Sequence, residues 1–152
     1  MIGAISKLFG GNKSEKDVKK IRPLVDQING FFDQYQSLTN DELRNKTAEF
    51  KQRIAAHLNN INTEIADKQK AAEELPIADI NGRDLFYKEI DELKKEKDTQ
   101  LEVVLLEILP EAFAAVKETS RRFKDNETLE CTATELDRTL AAKKDNIIIN
   151  GD

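Results

Sequence analysis

Two long helical seams separated by a single proline constrain this chain more than any other feature of its sequence. Leu43, Thr47, Phe50, Ile54, Leu58, Ile61, Ile65, Ala72 and Leu75 recur at steps of three, four or seven, the spacing of one face of an α-helix. After Pro76 the seam returns through Phe86, Ile90, Leu93, Leu101, Val104, Leu105 and Ile108. A link of a few residues between two such seams predicts an antiparallel helical hairpin. Its first helix is expected from residue 40 to about residue 74, roughly 50 Å long, and an extra step of four around Leu58 is expected to unwind the coiled coil locally.

Capping signals place the ends. Thr39 followed by Glu42 is a capping box, with Leu38 placed to staple onto Leu43 or the Lys46 stem; Asn81 with Asp84 marks the second start. The returning seam thickens into LEVVLLEILPEAFAAV, residues 101–116, the most apolar run in the chain, which reads as a central core helix kinked at Pro110. It fades at Arg121 and Arg122, whose charge suits the end of a helix dipole. Between the seams, residues 88–98 form a charged, solvated face on which Asp91 and Lys95 are spaced to pair.

An earlier helix starts near Ser14 and Asp17 and carries Val18, Ile21, Val25, Ile28, Phe32 and Tyr35, with a kink or a fresh start expected near Pro23. Phe31, Phe32 and Tyr35 lack interleaved Arg or Lys and so read as core rather than as a base-stacking platform. Beyond residue 125 the pattern changes. Residues 127–131 read as a short strand, Thr134 with Asp137 caps a helix to about residue 143, and NIIIN at residues 146–150 reads as a strand that wants a sheet to join. A larger domain is therefore expected to follow.

Composition supports helices over sheets: among 152 residues there is no Trp, with six Gly and three Pro, and 35% charged against 39% hydrophobic residues leaves a thin, elongated core. The fold class read from the chain is mainly α. A long coiled-coil-like hairpin packs with an N-terminal helix and a helix kinked at Pro110, and a small C-terminal α/β segment carries one or two short strands. The divisions are residues 1–13, a basic amphipathic segment; residues 14–125, helical, with the hairpin over about 53–104; and residues 126–152.

The formal net charge of -5 hides an asymmetry. Residues 1–22 hold six basic and two acidic side chains, a net +4, so the remainder carries -9. Such an end suits an anionic partner, phospholipid or RNA, while the acidic body repels nucleic acid. Within it Ile2, Ile5 and Phe9 form a short apolar stripe on a helix, with Leu8 and Lys7 beside it and Gly10-Gly11 after it. Two readings stay open: a terminus that frays or docks on its own domain, and an anchor at a membrane surface.

No catalytic pattern stands out. None of the glycines opens a GxxxxGK[ST] or GxGxxG loop, and one His and one Cys far apart make a poor zinc set. His57 reads as structural or solvated. Cys131 reads as a small packed hydrophobe, unable to form an internal disulfide and consistent with a reducing compartment. No window approaches the roughly 18 apolar residues of a membrane span, and a signal peptide is not recognisable at the start.

Three segments in order, SKLFG at residues 6–10, LTNDELRNKTAEF at 38–50 and ILPEAFAAVKETSRR at 108–122, resemble the extreme N-terminus of the SecA family of cytosolic preprotein translocase ATPases. They cover under half of the chain. The short connection usual in the family is replaced here by residues 53–104, which read as a lineage-specific insertion, and the family's Q motif, Walker A and Walker B do not occur in these residues. The resemblance implies a non-catalytic N-terminal portion of an ATP- and magnesium-dependent motor, peripheral to the cytoplasmic face of the plasma membrane, and no cofactor of its own. It implies binding of anionic phospholipid and the SecYEG channel through Ile2, Ile5, Lys7, Leu8 and Phe9, handling of preprotein by the longer motor, and a homodimer contact through N-terminal segments. No nucleic acid partner is expected. The alternative is a free-standing coiled-coil adaptor whose hairpin binds partner helices.

Overall fold

The computed structural model describes residues 13–151. Five helices appear in chain order: α1 Lys13–Tyr35, α2 Asn40–His57, α3 Asn59–Glu74, α4 Ile80–Asp125 and α5 Glu135–Ala141. α1, α2 and α3 each pack against α4. At 46 residues α4 is roughly 69 Å long and serves as the mast of the molecule.

α2 starts where the capping box places it. The Thr39 amide donates to Glu42 Oε2 at 2.7 Å, and the Glu42 amide donates to Thr39 Oγ1 at 3.2 Å. The expected single helix over residues 40–74 is instead two, α2 and α3, meeting at Leu58 (φ -90°, ψ 0°). The extra step of four lies there: a seam that gains a residue must rotate to keep facing α4, and a local loss of helical dihedrals supplies the rotation. Leu58 itself is buried with Ile61, Ile65 and Ile90, and Ile54, Leu93 and Leu101 pack against them. This apolar layer zips α3 to the first half of α4. Lys68 Nζ and Glu89 Oε2, 2.7 Å apart, bridge the same two helices.

The start of α4 differs from the Asn81 expectation. Asp79 is the N-cap, and its carboxylate accepts the Gly82 amide at 3.0 Å. A Cβ on Gly82 would stand 2.6 Å from Asp79 Oδ2, so the glycine makes room for the cap. Neither proline ends a helix: α1 runs through Pro23 and α4 through Pro110. Proline removes one donor, and the surrounding turns outweigh that loss when they are long or packed; Pro110 is itself buried. Residues 101–116 are thus covered on one side only. Val104, Ile108 and Ala114 are buried, whereas Leu105, Leu106, Phe113 and Val116 are exposed.

Around Ala114 a second apolar cluster joins Tyr35 and Leu43, with Ile28, Phe31, Phe32, Leu38 and Ala115 against it. The aromatic trio is core, as expected. Past Asp125 the two expected strands are absent among the described residues; 127–131 and 146–150 are unpaired chain and only α5 forms. A strand exists only with a partner's ladder of hydrogen bonds, and neither segment has one beside it.

Candidate docking surfaces

A buried arginine locks the body together at the α1–α2 turn. Glu118 is 0% exposed and accepts from Arg122 Nε at 2.7 Å and from Arg121 Nη2 at 2.7 Å. Arg122 also donates to Asn40 Oδ1 at 2.7 Å and to the carbonyls of Leu38 at 2.6 Å and Tyr35 at 3.2 Å, oxygens left open where α1 ends and α2 begins. Arg121, then Arg122, hold the Glu118 carboxyl below its usual range against the opposing cost of burial. Arg122 is therefore more than a helix-end charge. Its cue in the sequence is the Glu118 to Arg122 spacing of four.

Two turns before Glu118 on α4, Glu111 accepts from the Tyr35 hydroxyl at 3.3 Å and pairs with Arg53 of α2. Burial, then the Glu111 charge, push the Tyr35 phenol up to about 12. Lys117 donates to Asn29 Oδ1 at 2.7 Å and stands 4.1 Å over the Phe32 ring. Asn29 lies beside Lys117 and the Tyr35 carbonyl beside Arg122, so α1 and α4 run parallel, with the Tyr35 ring reaching back to Glu111, while α2 and α3 descend antiparallel to them.

The chain after α4 is strapped back onto the start of α2. Asn40 Nδ2 donates to the Glu130 carbonyl at 2.9 Å, Asp41 accepts the Thr132 amide at 2.8 Å and its hydroxyl at 2.6 Å, and Arg44 pairs with Asp137 at 2.6 Å. The Thr132 hydrogen bonds hold the Asp41 carboxyl low, and Arg44 followed by Thr134 does so for Asp137. Cys131 on this strap is exposed, not packed in a core, and lines the open groove between α2 and α4. His57 is solvated.

Outside the α3–α4 hairpin, two apolar stretches, one on α4 and one on α1, are uncovered among the described residues. On α4, Leu106, Phe113, Val116 and Phe123 are exposed along one side. On α1, Val18, Ile21 and Val25 are exposed, interleaved with exposed Lys16, Lys19, Lys20 and Arg22. Val18, Ile21, Val25, Leu105 and Val116, whose spacing places them on core seams, are exposed instead; nothing in residues 13–151 covers them. Ile2, Ile5, Lys7, Leu8 and Phe9 lie outside the described residues, so the structure brings none of them together.

These residues do not suit a nucleotide phosphate. The N-termini of α2, α4 and α5 are each capped and carry carboxylates, Asp41 and Glu42, Asp79, and Glu135 and Asp137, which would repel it. Among the described residues no group of three or more His, Cys, Asp or Glu is placed to hold a metal, and no helix is long and apolar enough to cross a membrane.

A long helix packed by three others, with apolar faces left uncovered among the described residues, defines an elongated helical module. Its family follows from comparison: residues 5–134 match the SecA DEAD-like domain, and the chain belongs to that family. It is 44% identical over 148 residues to the protein translocase subunit SecA of Porphyromonas gingivalis, covering 97% of this chain and 13% of that relative. The SecA subunits of Amoebophilus asiaticus, 45% identical over 152 residues, and Flavobacterium psychrophilum, 43% over 151, are covered to 14% and 13% of their lengths. The chain thus spans about one seventh of these relatives, and the alignments take in the whole hairpin. No solved structure matches.

Proposed function

We propose that this chain is the non-catalytic N-terminal portion of an ATP-driven preprotein translocase of the SecA type, contributing docking at the membrane and channel and a helical buttress for the motor. In this reading residues 1–13 are the basic docking segment, 14–125 the helical domain with its hairpin over about 53–104, and 126–152 the lead into the nucleotide-binding domain, where the two unpaired segments become strands of a sheet. ATP, magnesium and preprotein are handled by the longer protein, which works at the cytoplasmic face of the plasma membrane.

The observation that carries the proposal is the first half of α1, where Val18, Ile21 and Val25 stand in solvent among four basic side chains. Apolar anchors flanked by cations suit an anionic headgroup layer, and the stripe continues the pattern of Ile2, Ile5, Lys7, Leu8 and Phe9. The same segment is assigned to SecYEG and to a homodimer contact. The exposed side of α4, from Leu106 to Phe123, is assigned to packing on the motor, since apolar patches of this length suit a partner more than water.

Sedimentation with vesicles of mixed phosphatidylglycerol and phosphatidylcholine tests the docking role. Binding is expected to fall when Lys16, Lys19 and Lys20 are changed to Glu and to be lost when residues 1–11 are deleted; retention in both variants refutes the assignment. A coiled-coil adaptor remains the second reading, favoured by the separate apolar core of the hairpin. It would require the chain to act without a nucleotide-binding domain after Asp152.

A further inference from the structure

The hairpin carries surface that its own fold does not need. At its far end Ile77 is 85% and Ile80 71% exposed, and Leu85 and Tyr87 are exposed as well. Ile80 and Tyr87, seven residues apart, share one flank of α4 with Asp84 and Asp91. Residues 59–104 hold twelve Asp or Glu against seven Lys or Arg, a net charge of -5. Apolar anchors in an acidic field disfavour an anionic bilayer and nucleic acid, and a second hairpin would be repelled. The complementary occupant is a cationic amphipathic segment.

Such a segment lies in the same chain. Residues 1–22 carry net +4 together with Ile2, Ile5, Leu8 and Phe9. Because α1 runs parallel to α4, with Asn29 beside Lys117 and Tyr35 and Leu38 beside Arg122, its first residue points toward the hairpin end of the mast. Counting back along the pair from Asn29 beside Lys117 puts Lys13 near the level of residue 101 of α4, about 32 Å short of Ile80 at 1.5 Å per residue. Twelve residues reach at most about 40 Å when extended. Chain length, direction and charge therefore permit the contact.

We infer that the hairpin tip is a docking site for the chain's own residues 1–12, which in extended form seat Ile2 and Ile5 against Ile77, Ile80 and Tyr87 while the acidic flank receives Lys7. Docking and membrane binding then compete for one segment, so the hairpin regulates the anchor. This regulatory consequence rests on the membrane reading above; the docking itself does not.

The test uses the chain with Cys131→Ser and a nitroxide on Ile5→Cys. The methyl NMR signals of Ile77 and Ile80 are expected to broaden while that of Ile148 is unaffected, and the effect should weaken in high salt. No selective broadening overturns the inference, as does broadening only when label and isotope sit on different chains. A second arm replaces Ile77 and Ile80 by Ser, both exposed, with helicity checked by circular dichroism. Freeing a segment docked about 70–90% of the time raises its affinity for phosphatidylglycerol vesicles about 3- to 10-fold. Unchanged affinity overturns the regulation. If instead deleting residues 1–11 leaves vesicle binding intact, the membrane reading fails while the broadening still decides the docking.

Discussion

Replacing Arg122 by Met should loosen the body far more than a surface substitution. The change leaves the carbonyls of Tyr35 and Leu38 and the Asn40 side chain without their donor, and removes one of two cations from a carboxylate that is 0% exposed. Breaking a buried, hydrogen-bonded ion pair costs about 3–5 kcal/mol. At about 2–4 °C per kcal/mol for a chain of this size, the midpoint of thermal unfolding should drop by about 10 °C or more. Circular dichroism at 222 nm reads the midpoint, and hydrogen exchange reads the location. Amides of the α1–α2 turn should lose protection first, while those of Ile61, Ile65 and Ile90 keep theirs. Arg121→Met is the control, since that side chain reaches the same Glu118 from a more open position. A drop under about 3 °C for Arg122→Met, or an equal drop for Arg121→Met, refutes the assignment of Arg122 as the lock.

Ile90→Ala should cost about 2–4 kcal/mol through the void it leaves among Leu58, Ile61 and Ile65, with exchange accelerated in the hairpin before the body; uniform acceleration would contradict a separate hairpin layer. Thr39→Ala should cost about 1 kcal/mol in urea unfolding by removing the side-chain half of the capping box. Tyr35, followed by phenolate absorbance in a Tyr87→Phe background, should titrate near 12. Because its folded value is raised, its contribution to stability is complete below pH 10 and is lost as pH rises from 10 to about 12; ionisation without unfolding near pH 10 would show that burial and Glu111 do not act on it. Glu118 gives the opposite edge: its lowered value makes stability fall as pH drops below about 4, and Glu118→Gln should flatten that limb.

Local grammar was legible where neighbours in sequence decide the outcome. The capping boxes at Thr39 and Thr134 and the return at Pro76 all rest on contacts within a few residues, whereas the single helix expected over residues 40–74 is two. Periodicity also located Ile61, Ile65 and Ile90 as partners, because a seam has little else to face in a two-helix rod. It failed at Val18, Ile21, Val25, Leu105 and Val116, where an apolar spacing says which side of a helix wants cover and not whether cover is supplied. Pro110 lies inside one helix, as expected, and of the two readings at Pro23 the fresh start does not occur: the loss of one hydrogen bond is local, and the turns that absorb it extend beyond it. Arg122 was hidden because its partners Tyr35, Leu38 and Asn40 lie more than eighty residues away. The strand patterns at 127–131 and 146–150 describe a tendency that only a neighbouring ladder turns into structure.

The unbroken length of α4 gives the hairpin a mechanical property. Only the descending side is interrupted, at Leu58; the ascending side passes from tip to lock without a joint. The arm from residue 80 to residue 104 is about 36 Å, so the rod flexes like a leaf spring clamped at Glu111 and Glu118 and does not swing like a gate. The tip lies about 46 Å from Glu111, so a tilt of about 5° at that clamp carries it about 4 Å sideways. Whatever takes hold of Ile77 and Ile80 thereby pulls on the Tyr35, Arg53 and Arg122 contacts at the other end, and a load at either end is felt at both.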